Sequence, residues 1–246
     1  LKIYFTSRKK KKNQIQFDVL KKSTYNNLIS IKPNYIINCI GLIKPKILKD
    51  NCKSSFQSFE VNSLFPIYLS QKFKKTKIIN ISSNAVFDGS KGRYLESDKP
   101  SCKDIYGISK RLGEAVEKNV MNIRCSIIGF ERNSSYSLLS WFLNNDSKKI
   151  SGYKDQYWNG ITTFSLSKIC FGIVKYNLFR NGIFHIFTRK IISKYELLCI
   201  LNKILKKNKM KINKIKSKSS IDISLSSINI KFILKLWKSA GYDCIP

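Results

Sequence analysis

The chain has 246 residues, of which 43% are hydrophobic, and a formal net charge of +31 at pH 7. This length allows one large domain, or one domain with a small satellite, around a substantial core. Arginine supplies only seven of the 46 basic residues. A lysine surplus of this kind indicates a solvated surface and argues against a specific nucleic-acid partner, whose sites more often combine arginines with exposed aromatics.

The cysteines and the single histidine limit the chemistry further. None of the seven cysteines forms a Cys-x-x-Cys pair, and Cys39, Cys125 and Cys199 lie in apolar segments. We expect reduced, buried thiols of a cytoplasmic protein. One histidine and scattered acids argue against a metal site. No apolar run has the length of a membrane span and no signal peptide is recognisable, so no membrane partner is expected.

The first half of the chain alternates strand-like and helix-like segments. Short apolar runs predict strands over residues 2–6, 14–19, 35–40, 77–81 and 122–128. Helices are predicted over residues 55–73 and 106–118. Near-continuous apolar strands are typical of sheets covered on both faces. The alternation therefore predicts an α/β fold with a doubly wound parallel sheet.

After Gly129 the alternation weakens. Helices are predicted over residues 137–144, 165–179 and 193–206, a loop or ribbon over 149–160, and a strand over 182–187. Residues 206–220 are rich in Lys, Asn and Ser, which indicates a solvated ribbon or linker. The chain starts at Leu1 inside a strand-like segment, so the natural start is expected upstream.

Tyr106 and Lys110 are the most informative residues. They lie four residues apart on a predicted helix and hence one turn apart on one face. There the ammonium can lower the pKa of the tyrosine and make its phenol a general acid/base for a carbonyl or alcohol oxygen. Tyr68 and Lys72 repeat the spacing, but they have no serine to work with. Ser83 follows a predicted strand at the edge where open α/β sheets place their chemistry, which favours the Tyr106 pair.

Three motifs then point to a family. Residues 79–89 (INISSNAVFDG), 96–100 and 106–114 (YGISKRLGE) resemble the extended short-chain dehydrogenase/reductase superfamily, and most of all its dTDP-4-dehydrorhamnose reductase-like branch. Residues 35–41, 61–62, 124–129, 160–163 and 182–186 fit the same pattern in the same order, so the resemblance covers nearly the whole chain.

The resemblance implies a Rossmann-like fold without its first strand and glycine-rich loop, since both would precede residue 2. It implies an NAD(P)-binding domain over residues 1–148 and a substrate-binding region over 149–246, with 165–187 returning to the sheet. The fragment itself is expected to be inactive.

The resemblance also assigns catalytic roles. Ser83 would orient the substrate carbonyl, and Tyr106 would donate a proton to the sugar 4-keto oxygen. Lys110 would lower the pKa of the tyrosine and hold the nicotinamide ribose. The serine pair ending at Ser83 is alternatively a turn or helix cap.

The cofactor residues implied by the resemblance start at the first turn. Ser7 and Arg8 would meet the adenosine ribose and Asp18 the adenine. The remaining cofactor-binding positions are Asn38, Cys39, Gly41, Asn62, Tyr106 and Lys110. An arginine in that turn, with no acid in residues 1–17, favours NADP, with NAD as the alternative. Arg8 is alternatively one more solvated cation, and Asn62 a tie between a helix and a loop.

The substrate would be a nucleotide sugar, with assembly into a homodimer left open. The substrate-binding positions are Asn84, Val86, Phe87, Trp158, Thr162 and Thr163. A structural turn is an equal explanation for the last three, and His185 on a predicted strand is interpreted as structural. The family usually has Ser-Thr-Asp where this chain has Ser82-Ser83-Asn84, which keeps a hydroxyl but removes a carboxylate.

The leading hypothesis is an NADP-dependent reductase of a nucleotide-linked 4-keto-6-deoxysugar in polysaccharide biosynthesis. A sugar-nucleotide 4-epimerase uses the same serine, tyrosine and lysine and remains an alternative. A catalytically silent NADP-binding regulatory subunit of the same fold is the non-enzymatic alternative. A 4,6-dehydratase is disfavoured because Asn84-Ala85 supplies no acid–base carboxylates.

Overall fold

The structure is a computed structural model that describes residues 1–48, 51–131, 136–145, 149–205 and 210–246. The chain forms two compact units that interleave along the sequence. The first unit contains Leu1–Ile81, Asp104–Asn122 and Arg180–Gly182. The second contains Ser82–Lys103, Ile123–Phe179 and Ile183–Pro246. The boundary after residue 148, between the expected NAD(P)-binding domain and the substrate-binding region, stays a prediction.

The strands follow the chain in this order: β1 (Thr6–Ser7), β2 (Ile15–Gln16), β3 (Tyr35–Asn38), β4 (Lys77–Ile81), β5 (Val120–Arg124), β6 (Ile127–Ile128), β7 (Lys149–Tyr153), β8 (Gln156–Trp158), β9 (Ile161–Thr162), β10 (Gly182–His185), β11 (Ile192–Ser193), β12 (Lys211–Ile215) and β13 (Ile221–Asp222). The α-helices are α1 (Tyr25–Ile29), α2 (Cys52–Phe59), α3 (Phe65–Lys72), α4 (Ile105–Leu112), α5 (Leu138–Leu143), α6 (Thr163–Lys175), α7 (Lys194–Ile204) and α8 (Ile230–Ser239).

The main sheet has the strand order β10-β5-β4-β3. β3 and β4 pair in parallel, with Tyr35 opposite Lys77 and Asn38 opposite Asn80. Ile78 and Ile79 of β4 are buried, as expected for a strand that is covered on both faces. The predicted α/β fold with a parallel sheet is confirmed.

The core of the first unit is built from aromatic and branched side chains of the segment after β2, of α1 and α3, and of the sheet. Phe17 packs against the rings of Tyr25 and Phe65, each with its centroid 5.3 Å away. Leu69 and Ile78 close the cluster. This core fixes the helices against β3 and β4.

The predicted helix over residues 55–73 is interrupted by a turn of π-helix, Glu60–Leu64, between α2 and α3. Pro66 lies in the first turn of α3. Proline has no N–H to bond the carbonyl four residues earlier, and its ring crowds that carbonyl. The wider π-helical turn relieves this crowding.

α4 ends at Leu112, six residues before the predicted end at residue 118. Gly113 follows it, and a Cβ at this position would overlap the carbonyl oxygen of Asn62. The π-helical turn and the end of α4 are therefore in direct backbone contact. A side chain at residue 113 would push them apart.

Two predictions at the amino end are wrong in extent. The strands predicted over residues 2–6 and 14–19 reduce to β1 and β2, a short parallel pair with Thr6 opposite Ile15. Ile3, Tyr4 and Phe5 lie exposed before this pair. An apolar run forms a strand only where a neighbouring strand or helix packs against it.

The expected ribbon or linker over residues 206–220 is also corrected. Residues 206–209 lie outside the described residues, but Lys211–Ile215 form β12, which pairs in parallel with β7. Met210 is buried beside Phe142 and Leu198. The lysine-rich composition of this stretch did not indicate a strand. Main-chain hydrogen bonds to β7 stabilise it.

Helix α8 was missed by sequence reasoning. Its buried face consists of Ile233, Leu236 and Trp237, while its lysines point outward. None of the helices in the described ranges is both long and apolar enough to cross a membrane.

The thiols only partly follow expectation. All seven cysteines fall in described parts of the chain, and none of them forms a disulfide. Cys125 is buried and Cys199 half-buried, but Cys39 is exposed. β3 ends at Asn38, so Cys39 already lies outside the strand that was expected to bury it.

Candidate active site

α4 carries Tyr106 and Lys110 one helical turn apart. Its N-terminus is capped by Asp104, whose carboxylate accepts the N–H of Gly107 at 2.9 Å. Lys44 also pairs with Asp104 at 3.0 Å, but this pair is exposed and contributes little stability. The cap sets where the helix begins.

Lys110 is buried, with 7% of its surface exposed. Its Nζ donates to the main-chain carbonyl of Ile81, the last residue of β4, at 2.7 Å. Burying an ammonium is costly unless it is hydrogen-bonded. This bond therefore holds the lysine head at the carboxyl end of the strand, the edge where open α/β sheets bind ligands.

The loop after β3 lies next to the same ammonium. A Cβ at Gly41 would stand 3.8 Å from the Lys110 Nζ and 3.4 Å from Asn62 Oδ1. Cys39 and Gly41 are exposed. Contact of Cys39 and Gly41 with a cofactor stays a prediction.

Asn62 ties this loop to α4. Its Oδ1 accepts the N–H of Leu42 at 2.8 Å, and its Nδ2 donates to the Leu42 carbonyl and to Ser109 Oγ, each at 3.0 Å. The helix-to-loop tie considered from the sequence is thus present. Direct contact of Asn62 with a cofactor stays a prediction.

Asn38 points into the protein. Its Nδ2 donates to Asn80 Oδ1 at 3.0 Å, and its Oδ1 accepts the N–H of Ile40 at 3.2 Å. Because both polar atoms of its side chain are bonded inside the protein, the predicted contact of Asn38 with a cofactor would involve its main chain.

The β1–β2 pair brings the predicted adenosine residues together. The Ser7 carbonyl accepts the N–H of Phe17 at 2.9 Å, so the turn that carries exposed Arg8 lies beside Asp18. The Asp18 carboxylate accepts the N–H of Leu20 at 3.0 Å. Arg8 is exposed at the surface.

In the second unit, Ser83 caps a short 3₁₀ turn, because its Oγ accepts the N–H of Ala85 at 3.1 Å. The cap considered from the sequence is therefore present, and a hydroxyl that accepts there can still donate elsewhere. Asn84 donates to the carbonyl of Ile223 at 3.0 Å. These contacts hold the loop that follows β4.

Val86 and Phe87 belong to a core cluster with Tyr94, Phe187 and Leu225. Phe87 stacks on Tyr94 with ring centroids 4.1 Å apart. Their side chains shape the loop from inside, and substrate contact by them stays a prediction.

The predicted sugar-pocket residues of the second unit make structural contacts of their own. Trp158 Nε1 donates to Ser126 Oγ at 2.6 Å. Thr162 caps α6 by accepting the N–H of Ser165 at 3.0 Å. A Cβ at Gly129 would overlap Thr163. The pairing of β6 with β9 holds this group together.

His185 is fully buried in the second unit. Its Nδ1 lies 3.1 and 2.9 Å from the carbonyls of Tyr94 and Ser226, which assigns the proton to this nitrogen. Burial lowers the pKa of His185, Arg124 acts in the same direction, and Glu96 opposes both. A buried neutral imidazole bonded to main chain fits the structural interpretation.

Sequence reasoning missed Asn80 and Asn122. Asn80 Nδ2 donates to Asn122 Oδ1 at 2.8 Å and to the Gly113 carbonyl at 3.1 Å, just beyond α4. A signal was available, since each of three successive apolar strand segments contains one asparagine.

Comparison with known proteins identifies the family. A family model described as the RmlD substrate binding domain matches residues 3–224. No curated protein sequence matches the chain significantly.

Similar folds are found among solved structures. A hypothetical dTDP-4-dehydrorhamnose reductase from Sulfolobus tokodaii is 23% identical with a TM-score of 0.73, over 89% of this chain and 81% of that one. The dTDP-4-dehydrorhamnose reductase of Bacillus anthracis, in complex with NADP, is 17% identical with a TM-score of 0.73, over 91% and 85%. The ADP-L-glycero-D-manno-heptose-6-epimerase of Helicobacter pylori is 17% identical with a TM-score of 0.73, over 91% and 73%. These likenesses establish a shared Rossmann-like fold, and by the family match over most of its length the chain belongs to the RmlD substrate binding domain family.

Proposed function

We propose that the protein is an NADPH-dependent reductase of a nucleotide-linked 4-keto-6-deoxysugar. The observation that carries this proposal is the buried Lys110, bonded to Ile81 at the carboxyl end of β4 one turn after Tyr106. Membership of the RmlD substrate binding domain family supports the substrate class. We place its product in polysaccharide biosynthesis and the enzyme in the cytoplasm.

Each residue has a separate task in this proposal. Tyr106 donates the proton to the 4-keto oxygen as C4 is reduced. Lys110 keeps its ammonium at the end of β4, where it favours transfer of that proton and holds the nicotinamide ribose. Ser83, two residues after Ile81 in the chain, donates a hydrogen bond that orients the carbonyl. The nicotinamide, when bound, supplies the hydride.

The cofactor residues fit a dinucleotide. Cys39 and Gly41 are exposed, and Gly41 lies beside the Lys110 ammonium, which supports a cofactor position along this loop. Exposed Arg8 lies in the β1–β2 turn, and a guanidinium there suits a 2′-phosphate. The Bacillus anthracis relative was solved with NADP, and a more distant structure, MoeE5, with NAD. We therefore favour NADP and keep NAD as the alternative.

The assay uses protein expressed from its complete natural coding sequence, NADPH, and dTDP-4-dehydrorhamnose. A reductase consumes one NADPH for each sugar that it reduces. The loss of NADPH absorbance measures the cofactor consumed, and NMR identifies the sugar product. UDP- and GDP-linked 4-ketosugars are tested in parallel, because the contacts above do not identify the nucleotide portion of the substrate.

Two other outcomes of this assay would contradict the reductase proposal and favour one of the alternatives. A 4-epimerase would interconvert 4-hydroxy sugar nucleotides without net loss of NADPH. A silent regulatory subunit would bind NADP, as measured by calorimetry, and turn over none of the sugars.

A further inference from the structure

A row of three buried asparagines crosses the first unit. Asn38, Asn80 and Asn122 lie on the neighbouring strands β3, β4 and β5 and are only 3%, 2% and 1% exposed. Asn38 donates to Asn80 at 3.0 Å, and Asn80 donates to Asn122 at 2.8 Å. We call these three residues the asparagine row. Buried amides are costly unless they are bonded, so the row specifies one relative placement of its three strands.

The asparagine row continues into the chain that leaves α4. Asn80 Nδ2 also donates to the Gly113 carbonyl at 3.1 Å, and Asn122 Nδ2 donates to the Ala115 carbonyl at 2.9 Å. Both carbonyls lie within three residues of Leu112, where α4 ends. Carbonyls at a helix C-terminus have no partner within the helix. The row thus anchors the segment that follows α4 to the sheet.

The π-helical turn is bonded to α4 itself. Ser63 Oγ donates to the Ser109 carbonyl at 2.7 Å, and Asn62 donates to Ser109 Oγ at 3.0 Å. In the chain, Lys110 lies between Ser109 and Gly113, and its Nζ donates to the carbonyl of Ile81, the residue that follows Asn80 in β4. The position of the Lys110 ammonium therefore depends on how far α4 can move relative to β4.

We propose that Asn80, assisted by Asn122, is a positioning residue that fixes α4 so that Tyr106 and Lys110 keep their working geometry. This rests on the proposed reductase function. A displacement of about 1 Å, introduced away from the reacting atoms, can cost about a hundredfold in rate. Asn80 and Asn122 touch neither substrate nor cofactor in this assignment and act through α4 alone.

The test compares Asn80→Leu and Asn122→Leu with a matched control, Asn119→Leu. Asn119 is an amide of the same kind, and its Nδ2 donates to the carbonyls of Ser70, Phe73 and Thr76 at 3.1, 3.0 and 3.3 Å. Asn119 immediately precedes β5, and its bonds go to none of the carbonyls that the asparagine row binds, those of Gly113 and Ala115. The control therefore removes comparable hydrogen bonds without touching that anchor.

Three quantities are measured: the melting temperature, amide hydrogen exchange over residues 105–116, and kcat and KM well below the melting temperature. All three variants should melt earlier than the wild type. Asn80→Leu and Asn122→Leu should exchange amides of residues 110–116 about tenfold faster or more. They should lose about ten- to a hundredfold in kcat, with KM for the sugar nucleotide changed less than about threefold. Asn119→Leu should keep wild-type exchange over 105–116 and wild-type kcat.

A triple variant, Asn38→Leu/Asn80→Leu/Asn122→Leu, covers the case in which a single variant does not fold. Replacing all partners with apolar groups of similar shape avoids leaving an amide of the row unpaired. It should still exchange residues 110–116 faster than wild type, because the bonds to Gly113 and Ala115 are gone.

Wild-type exchange over 110–116 in the Asn80 and triple variants would overturn the proposal, and so would an equal loss of kcat in Asn119→Leu. If the wild-type protein reduces none of the sugars, the reductase function fails, while the exchange data still decide whether Asn80 fixes α4.

Discussion

The Nζ atom of Lys110 lies 2.7 Å from the carbonyl oxygen of Ile81, so the middle of α4 is bonded to the last residue of β4. The ammonium is buried, which makes the bond strong relative to a surface contact. Helix and strand therefore move together at this point. Tyr106 lies one turn earlier on the same helix.

Substitution of Tyr106 tests the proton donor. Tyr106→Phe keeps the ring and removes the transferable proton, so turnover of a 4-ketosugar nucleotide should fall by about a hundred- to ten-thousandfold with little change in binding. Tyr68→Phe is the matched control, because Tyr68 has a lysine at the same spacing and packs on Tyr25 in the core. Near-normal turnover in Tyr106→Phe would show that the proton comes from another group.

Lys110 and Ser83 should respond differently. Lys110→Met should lose rate and also weaken NADP binding, because the ammonium serves both partners. Ser83→Ala should cost less rate than Tyr106→Phe, because it removes an orienting hydrogen bond and leaves the proton donor. Steady-state kinetics and calorimetry of NADP binding separate these effects. A larger loss in Ser83→Ala than in Tyr106→Phe would reverse the assigned roles.

Gly113→Ala tests the contact between α4 and the π-helical turn. The new Cβ would overlap the carbonyl oxygen of Asn62, so the backbones must separate. We expect a loss of about 2–4 kcal/mol in the free energy of unfolding, measured in urea. Gly41→Ala is the control, because its Cβ would meet Asn62 Oδ1 at an ordinary 3.4 Å, and its loss should stay within about 0.5 kcal/mol. Equal losses in the two variants would contradict the contact.

His185 should make the protein sensitive to mild acid. Burial lowers its pKa from an ordinary 6.5. The unfolded chain then takes up the proton first, so this contribution to the free energy of unfolding is complete above pH 6.5 and is lost as the pH falls below it. One proton limits the slope to about 1.4 kcal/mol per pH unit.

Urea unfolding from neutral pH down to about one unit below the ordinary histidine pKa measures this slope, and His185→Gln should remove it. Asp98 and Glu196 also have lowered pKa values, but they act near and below their ordinary 3.8 and 4.5. An unchanged slope in His185→Gln would assign the acid sensitivity to another group.

Arg8→Ala tests the choice of cofactor. Loss of the guanidinium should weaken NADP binding about tenfold or more and leave NAD binding nearly unchanged, because only NADP carries the 2′-phosphate. Lys10→Ala in the same exposed run removes an equal charge and serves as the control. Tighter binding of NAD than of NADP by the wild-type protein would exclude this role of Arg8.

The net charge of +31 is expected to be dispersed over a solvated surface, so any binding to DNA should be weak and indifferent to sequence. Moderate salt should abolish it, because contacts between dispersed lysines and phosphates are screened. A salt titration by fluorescence anisotropy on two unrelated duplexes measures this. A tight complex at physiological salt would indicate a real nucleic-acid site.

The sequence by itself determined the fold class, the family and the position of β4, whose predicted and observed bounds coincide at Lys77–Ile81. These properties depend on local patterns: an apolar run covered on both faces, and motifs in a fixed order. The i, i+4 pair at Tyr106 and Lys110 also follows from helical geometry alone.

Only the tertiary structure decided which polar groups meet. Asn80 and Asn122 are 42 residues apart, and the bond between them exists because β4 and β5 are neighbours in the sheet. The strand at Lys211–Ile215 depends on β7, about sixty residues earlier in the chain. The early end of α4 is fixed by the approach of Gly113 to Asn62. Contacts between distant segments carry no periodic signal in the sequence, so hydrogen bonding and close packing settle them only after the chain has folded.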